Sequence, residues 1–88
     1  MGKRVVASLR TEEHRTLIAL IRAARVESGL SQNEVGRLAN LSQPVLSAIE
    51  ADDRRLDVVE FLDLAEAIGF DAFEMLRTIN DARKSQKP

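Results

Sequence analysis

Glu12, Glu13 and His14 put two carboxylates and an imidazole side by side, the raw material of acid–base catalysis. Adjacent residues on a helix point in different directions, and an exposed helix start is expected here. No activated nucleophile, glycine-rich phosphate loop or metal spacing accompanies them. One His and no Cys cannot build a metal cluster or a disulfide. An enzyme is therefore the least expected reading, and no cofactor is expected. A second group is better placed for recognition than for catalysis. Gln32, Asn40, Ser42, Gln43 and Ser47 bring amides and hydroxyls into the stretch Ser31 to Glu50, and Arg54-Arg55 follow it. Gln43 carries both a donor and an acceptor.

Two short helices and one sharp corner position these side chains. Ser31 and Glu34 make the S-x-x-E capping box that marks a helix start. Val35 and Ala39 are four apart and share a face. Asn40 tolerates the left-handed conformation that stops a helix and turns the chain. Ser42 caps a second helix with Pro44 in its first turn, where a missing N–H costs little. Leu46 and Ile49 give that helix a buried side. Gln43, Pro44, Ser47 and Ala48 are left outside.

The flanking chain obeys the same signals. Thr11 caps a first helix, and Glu12-Glu13 favour its N-terminus through the macrodipole. Leu17, Leu20, Ile21 and Ala24 recur at helical spacing, Ile18 widens the apolar face, and Gly29 ends the helix. Asp57 caps a helix whose stripe is Val58, Phe61, Leu62, Ala65 and Ile68, closed by Gly69. Asp71 caps a last helix with Phe73, Leu76 and Ile79 facing in. Residues 1–10 form an N-terminal basic arm, which is either a mobile terminus or a segment that touches a partner. Residues 11–80 are one domain, and 81–88 are a polar, flexible tail. The expected fold class is all-α, with five short helices.

Composition sets the outer limits. The chain has 88 residues, 44% of them hydrophobic, which suffices for one small, largely aliphatic core. No apolar run approaches the ~20 residues of a membrane span, and no signal peptide is visible. A soluble, cytoplasmic protein is expected, with no membrane and no small-molecule partner. Net charge is −1 but unevenly spread. Residues 1–55 carry nine Lys/Arg against seven Asp/Glu, whereas residues 56–80 carry one Arg against six acids. That polarity suits a binder of nucleic acid with one cationic face.

Gln32, Glu34-Val35-Gly36, Asn40-Leu41-Ser42-Gln43, Leu46-Ser47 and Ile49-Glu50 resemble the helix-turn-helix of the Cro/phage-repressor (XRE) family of transcriptional regulators. Arg25 with Gly29-Leu30-Ser31-Gln32 resembles the family's R-x-x-x-G-L-S-Q. Arg54-Arg55-Leu56-Asp57 and Leu62 to Gly69 resemble its later block. The likeness covers most of the chain and implies a lambda-repressor-like five-helix domain that binds double-stranded DNA in a bacterial or phage nucleoid.

The resemblance also implies roles, position by position. Gln43, Pro44, Ser47 and Ala48 fall where base contacts lie, with Gln43 able to pair bidentately with adenine and Pro44 and Ala48 suited to a thymine methyl. Gln32, Asn40, Ser42, Arg54 and Arg55 fall on the phosphate side, and Gln32 could also brace Gln43. The alternative for Arg54-Arg55 is neutralisation of Asp52-Asp53. Arg25 and Glu50 match an ion pair that ties the first helix to the end of the reading helix. Relatives often carry Lys or Arg at the Ala48 position, Gly at the Asp52 position and Ala at the Gly36 position. Val5 and Val6, or Phe73, Met75, Leu76 and Ile79, could supply a homodimer contact, the alternative being the chain's own core. Two functions follow: a dimeric repressor on a pseudo-palindromic operator, or a protein-interaction module such as an antitoxin subunit or an inhibitor of another regulator.

Overall fold

Local hydrogen bonding decides where each helix begins. The computed structural model describes residues 11–85. The arm at residues 1–10, with Val5 and Val6, and residues 86–88 lie outside the described residues. Among the described residues there are five helices and no strand: α1 Glu12–Glu27, α2 Gln32–Ala39, α3 Gln43–Glu50, α4 Val58–Ile68 and α5 Ala72–Ser85. A helix leaves its first N–H groups without intrahelical partners, and a side chain just upstream takes one of them. Thr11 accepts from the His14 N–H, Ser31 from Glu34, Ser42 from Val45 and Asp57 from Glu60. Asp71 accepts from both Phe73 and Glu74. Ser31 with Glu34, and Asp57 with Glu60, complete reciprocal capping boxes.

The helix ends share one device. Gly29, Asn40, Asp52 and Gly69 all have left-handed backbone, with φ of 76°, 59°, 60° and 97°. One residue further on, an N–H reaches back to the last turn: Leu30 to Arg25, Leu41 to Gly36, Asp53 to Ala48 and Phe70 to Ala65. This is the Schellman arrangement, which satisfies carbonyls the helix would otherwise leave bare. Glycine enters the left-handed region freely, and Asn or Asp enters it more easily than other side chains. Asp52 thus occupies the turn conformation that makes Gly common at its position in the resembling family.

Ile21, Val35, Ala39, Leu46, Phe61, Leu64 and Ile68 form the core. Helix α1 packs across α3, α4 and α5, and α2 is clamped between α3 and α4. The close approach of α2 and α3 needs Gly36. A Cβ there would lie 2.6 Å from the Leu41 carbonyl oxygen, a backbone atom that cannot swing aside.

Three helices are rotated relative to the sequence expectation. In α1, His14, Ile18 and Ile21 are buried, whereas Leu20 lines a shallow groove against Met75 and Thr78 of α5. In α4, Leu64 replaces Val58 and Leu62 in the core; Val58 is 72% exposed. In α5, Ala72, Met75 and Ile79 are the half-buried side, while Phe73 is 78% exposed and Leu76 is also outside. Each helix has apolar residues on more than one face, so spacing alone leaves its rotation open. Helix α5 also runs to Ser85, past the start of the tail expected at residue 81. Ala82, Arg83 and Lys84 are good helix formers, the two cations suit a helix C-terminus, and Arg83 meets Glu13 of α1 at 3.4 Å.

Candidate nucleic-acid interface

A chain of hydrogen bonds runs from the interior to the outer end of α3. It starts at Arg25 on α1, whose Nε and one terminal nitrogen donate to the two Glu50 oxygens at 2.7 and 2.9 Å. The third guanidinium nitrogen donates to the Leu30 carbonyl at 2.8 Å. Glu50 closes the last turn of α3, and its side chain is only 4% exposed. Gln32, the first residue of α2, donates from Nε2 to Glu50 Oε1 at 3.0 Å. Gln43, the first residue of α3, donates from Nε2 to Gln32 Oε1 at 2.9 Å.

The order of donors in this chain is dictated by its buried end. A carboxylate only accepts, so Gln32 must offer its NH₂ to Glu50 and turn its oxygen outward. Gln43 must then give one N–H to Gln32, which leaves its oxygen and a second N–H facing solvent. That is the donor–acceptor pair needed against adenine N6 and N7. Burial pushes the Glu50 carboxyl up, but the Arg25 and Gln32 hydrogen bonds outweigh it and hold it below the usual carboxylate range. The hydrogen bonds to Glu50 push Arg25 up. The anion and cation are therefore locked in place behind the amides.

Around Gln43, the outward face of α3 is small and uncharged. Pro44 is exposed, and Ser47 and Ala48 are half-buried. Ser42 and Asn40 are exposed at the corner and line a shallow polar concavity with Arg37. In the loop after α3, Arg54 and Arg55 diverge. Arg54 makes two bonds to Glu60, at 2.6 and 2.9 Å, and a third to the Arg55 carbonyl. The Arg54 bond holds the Glu60 carboxyl down. Arg55 is exposed. Neither cation was expected against Glu60, but the Glu60 side chain already faces the loop as the return half of its capping box.

The match to a helix-turn-helix family model spans residues 21–75, more than half of the chain. The chain belongs to the XRE-type helix-turn-helix family. Its fold is similar to an XRE-family-like protein from Pseudomonas syringae pv. tomato, with TM-score 0.80, 28% identity, and coverage of 91% of this chain and 98% of that one. It is also similar to a point mutant of the restriction-modification controller protein C.Esp1396I, with TM-score 0.75, 16% identity, and coverage of 88% and 100%. The clp gene regulator ClgR from C. glutamicum aligns with TM-score 0.72, 18% identity, and coverage of 82% and 94%. No curated protein matches the chain. The XRE-type protein described here is thus a DNA-binding regulator of the helix-turn-helix class. No helix among the described residues is long and apolar enough to cross a membrane.

Two features of this XRE-type chain escaped the sequence. His14, expected at an exposed helix start, is 7% exposed and bonded to the loop after α3. Its spacing with Ile18 and Ile21 was the available signal, since these positions share one helix face. An Asp52 carboxylate pointing outward would repel phosphate. It turns inward instead, with Oδ1 2.6 Å from His14 Nδ1.

Proposed function

We propose that the chain is a cytoplasmic repressor that binds a pseudo-palindromic operator as a homodimer, reading bases through Gln43 at the start of α3. The observation that carries this reading is the oriented amide of Gln43, held from behind by Gln32, Glu50 and Arg25. An oriented amide loses little freedom on pairing, so its hydrogen bonds to a base discriminate rather than merely attract. Pro44, Ser47 and Ala48 provide a low, uncharged surface that lets α3 approach the groove floor. Affinity comes from phosphate contacts by Arg55, from the amides and hydroxyls of Gln32, Asn40 and Ser42, and from the second subunit. Arg54, already paired with Glu60, serves the phosphate side mainly by holding the Arg55 backbone. Exposed Phe73 and Leu76 on α5, with half-buried Met75 and Ile79 beside them, supply the dimer contact.

A random DNA pool, selected on the full-length protein at low salt, tests this directly. Gln43→Ala should change the preferred sequence by the ~1–3 kcal/mol typical of one bidentate base contact. Arg55→Ala should weaken all sequences alike and reduce the salt slope by about one phosphate contact. Equal effects of both substitutions on every sequence would overturn the division of roles. A second reading, a protein-interaction module, is favoured by one observation. The outer face of α4 presents exposed Val58, Val59 and Leu62 with Glu66 and no cation on that helix. Failure to retain any DNA at low salt, with a basic protein partner recovered, would establish that reading instead.

A further inference from the structure

We propose that His14 is a positioning residue for DNA binding: it straps both ends of the loop that follows the reading helix and so aims Arg55 at the phosphate backbone. The inference rests on the Arg55 assignment made above. Within the loop, Asp52 and Leu56 are the two ends, and both bond to one imidazole. Asp52 Oδ1 lies 2.6 Å from Nδ1, and the Leu56 N–H donates to Nε2 at 3.3 Å. A backbone N–H can only donate, so Nε2 is the acceptor and Nδ1 carries the hydrogen directed at Asp52. The ring spans 38 and 42 residues of sequence with these two bonds. It is itself anchored in the first turn of α1, buried and on the same face as Ile18 and Ile21.

The loop needs such a strap. Asp52 holds φ of +60°, a conformation that favours glycine. The His14 bond fixes its side chain and draws a carboxylate, 17% exposed, away from the surface a phosphate would approach. Arg54 is committed to Glu60, and its remaining bond is donated to the Arg55 carbonyl. The Arg55 backbone is therefore held by Arg54 through its own carbonyl and by His14 through the next N–H, while its side chain faces solvent. An apolar residue of the same volume could fill the space under the loop. It could not hold Asp52 and Leu56 at once.

The test uses the full chain and the DNA fragment recovered by selection. Dissociation constants are measured across a salt series for the wild type, His14→Phe, His14→Gln, Arg55→Ala and the His14→Phe/Arg55→Ala pair, each confirmed folded by circular dichroism. His14→Phe should bind several-fold more weakly and lose about 0.9 from the slope of log K against log salt, the value of one phosphate contact. Gln offers one donor and one acceptor at similar spacing and should restore most of both. The pair should be no weaker than Arg55→Ala alone, because both substitutions remove the same contact. A folded His14→Phe protein with unchanged slope, or a pair whose effects add, would overturn the proposal. An Arg55→Ala slope equal to that of the wild type would overturn the Arg55 assignment and this inference with it. If His14→Phe does not fold, Asp52→Gly keeps the left-handed turn and enters the same cycle with Arg55→Ala. Its charge effect is common to both backgrounds, so only a loss confined to the Arg55 background supports the strap.

Discussion

The Arg25–Glu50 pair couples stability to acidity in a definite direction. Both side chains are nearly inaccessible, with 11% and 4% exposure, so neither charge has much water to fall back on. Such a pair is not superior to a well-packed apolar pair, but removing one charge strands the other. Glu50→Gln should therefore destabilise the fold by about 3–5 kcal/mol, measured by denaturant unfolding at neutral pH. The Glu50 carboxyl is depressed in the folded state. Its stabilising contribution is then complete above the unfolded carboxylate value of about 4.3 and disappears as pH falls through the lower, folded value. The wild type should lose stability on acidification below about pH 4, and Glu50→Gln should lose less over the same interval. A larger acid loss in the variant would contradict the geometry. Glu34 and Glu60 are also depressed, Glu34 by its Ser31 bonds and Glu60 by Arg54, so some acid sensitivity remains. At this scale the sequence was informative about contacts between positions in a known frame, the Arg25–Glu50 pair and the Gln32–Gln43 bond. It was silent on His14 and Asp52, because their bond joins residues with no local relation.

Helix ends were legible, and helix rotations were not. A cap is a contact within three or four residues, so Thr11, Ser31, Ser42, Asp57 and Asp71 announce themselves by type and position. Rotation depends on what packs against the helix. Helix α4 carries eight apolar side chains in eleven positions: Val58, Val59, Phe61, Leu62, Leu64, Ala65, Ala67 and Ile68. The partners α1 and α2 choose Phe61, Leu64, Ala65 and Ile68 from them. At the α2–α3 corner, propensity and packing make opposite demands. Gly36→Ala would gain ~1 kcal/mol of helix propensity. The added methyl would meet the Leu41 carbonyl oxygen at 2.6 Å, and overpacking against backbone typically costs about 1–3 kcal/mol. The net expectation is a lower melting temperature, by about 4–8 °C for each kcal/mol lost. A thermal melt decides it, and an increase would show that the corner can open without penalty.

On the scale of the molecule, charge and apolar surface are segregated. Residues 56–80 hold the acidic excess, and the same stretch holds the most exposed large apolar side chains, Phe73 and Val58. Phe73 and Leu76 are three apart on α5, so they share a face, and neither supports the core. Replacing both with Ser should leave the unfolding free energy of the isolated chain within about 0.5 kcal/mol. For the homodimer proposed above, it should halve the mass measured by light scattering and weaken operator binding, since one subunit then reaches only one half-site. Unchanged mass in the double variant would place the subunit contact elsewhere. These two residues were expected to face inward. Their exposure came from packing α5 on α1 with Ala72 and Met75 toward the core, which the spacing of apolar residues in α5 did not distinguish from the alternative.

The buried carboxylate behind Gln32 has an evolutionary consequence. Because it turns an oxygen outward from Gln32, only a side chain that gives a proton inward can be braced at position 43. An acidic residue there would face that oxygen with another acceptor, so an Asp or Glu reading cytosine would lack the brace that Gln43 has. Drift in operator preference is thereby channelled. New specificities that keep the brace come from donors such as Arg, Lys or Asn.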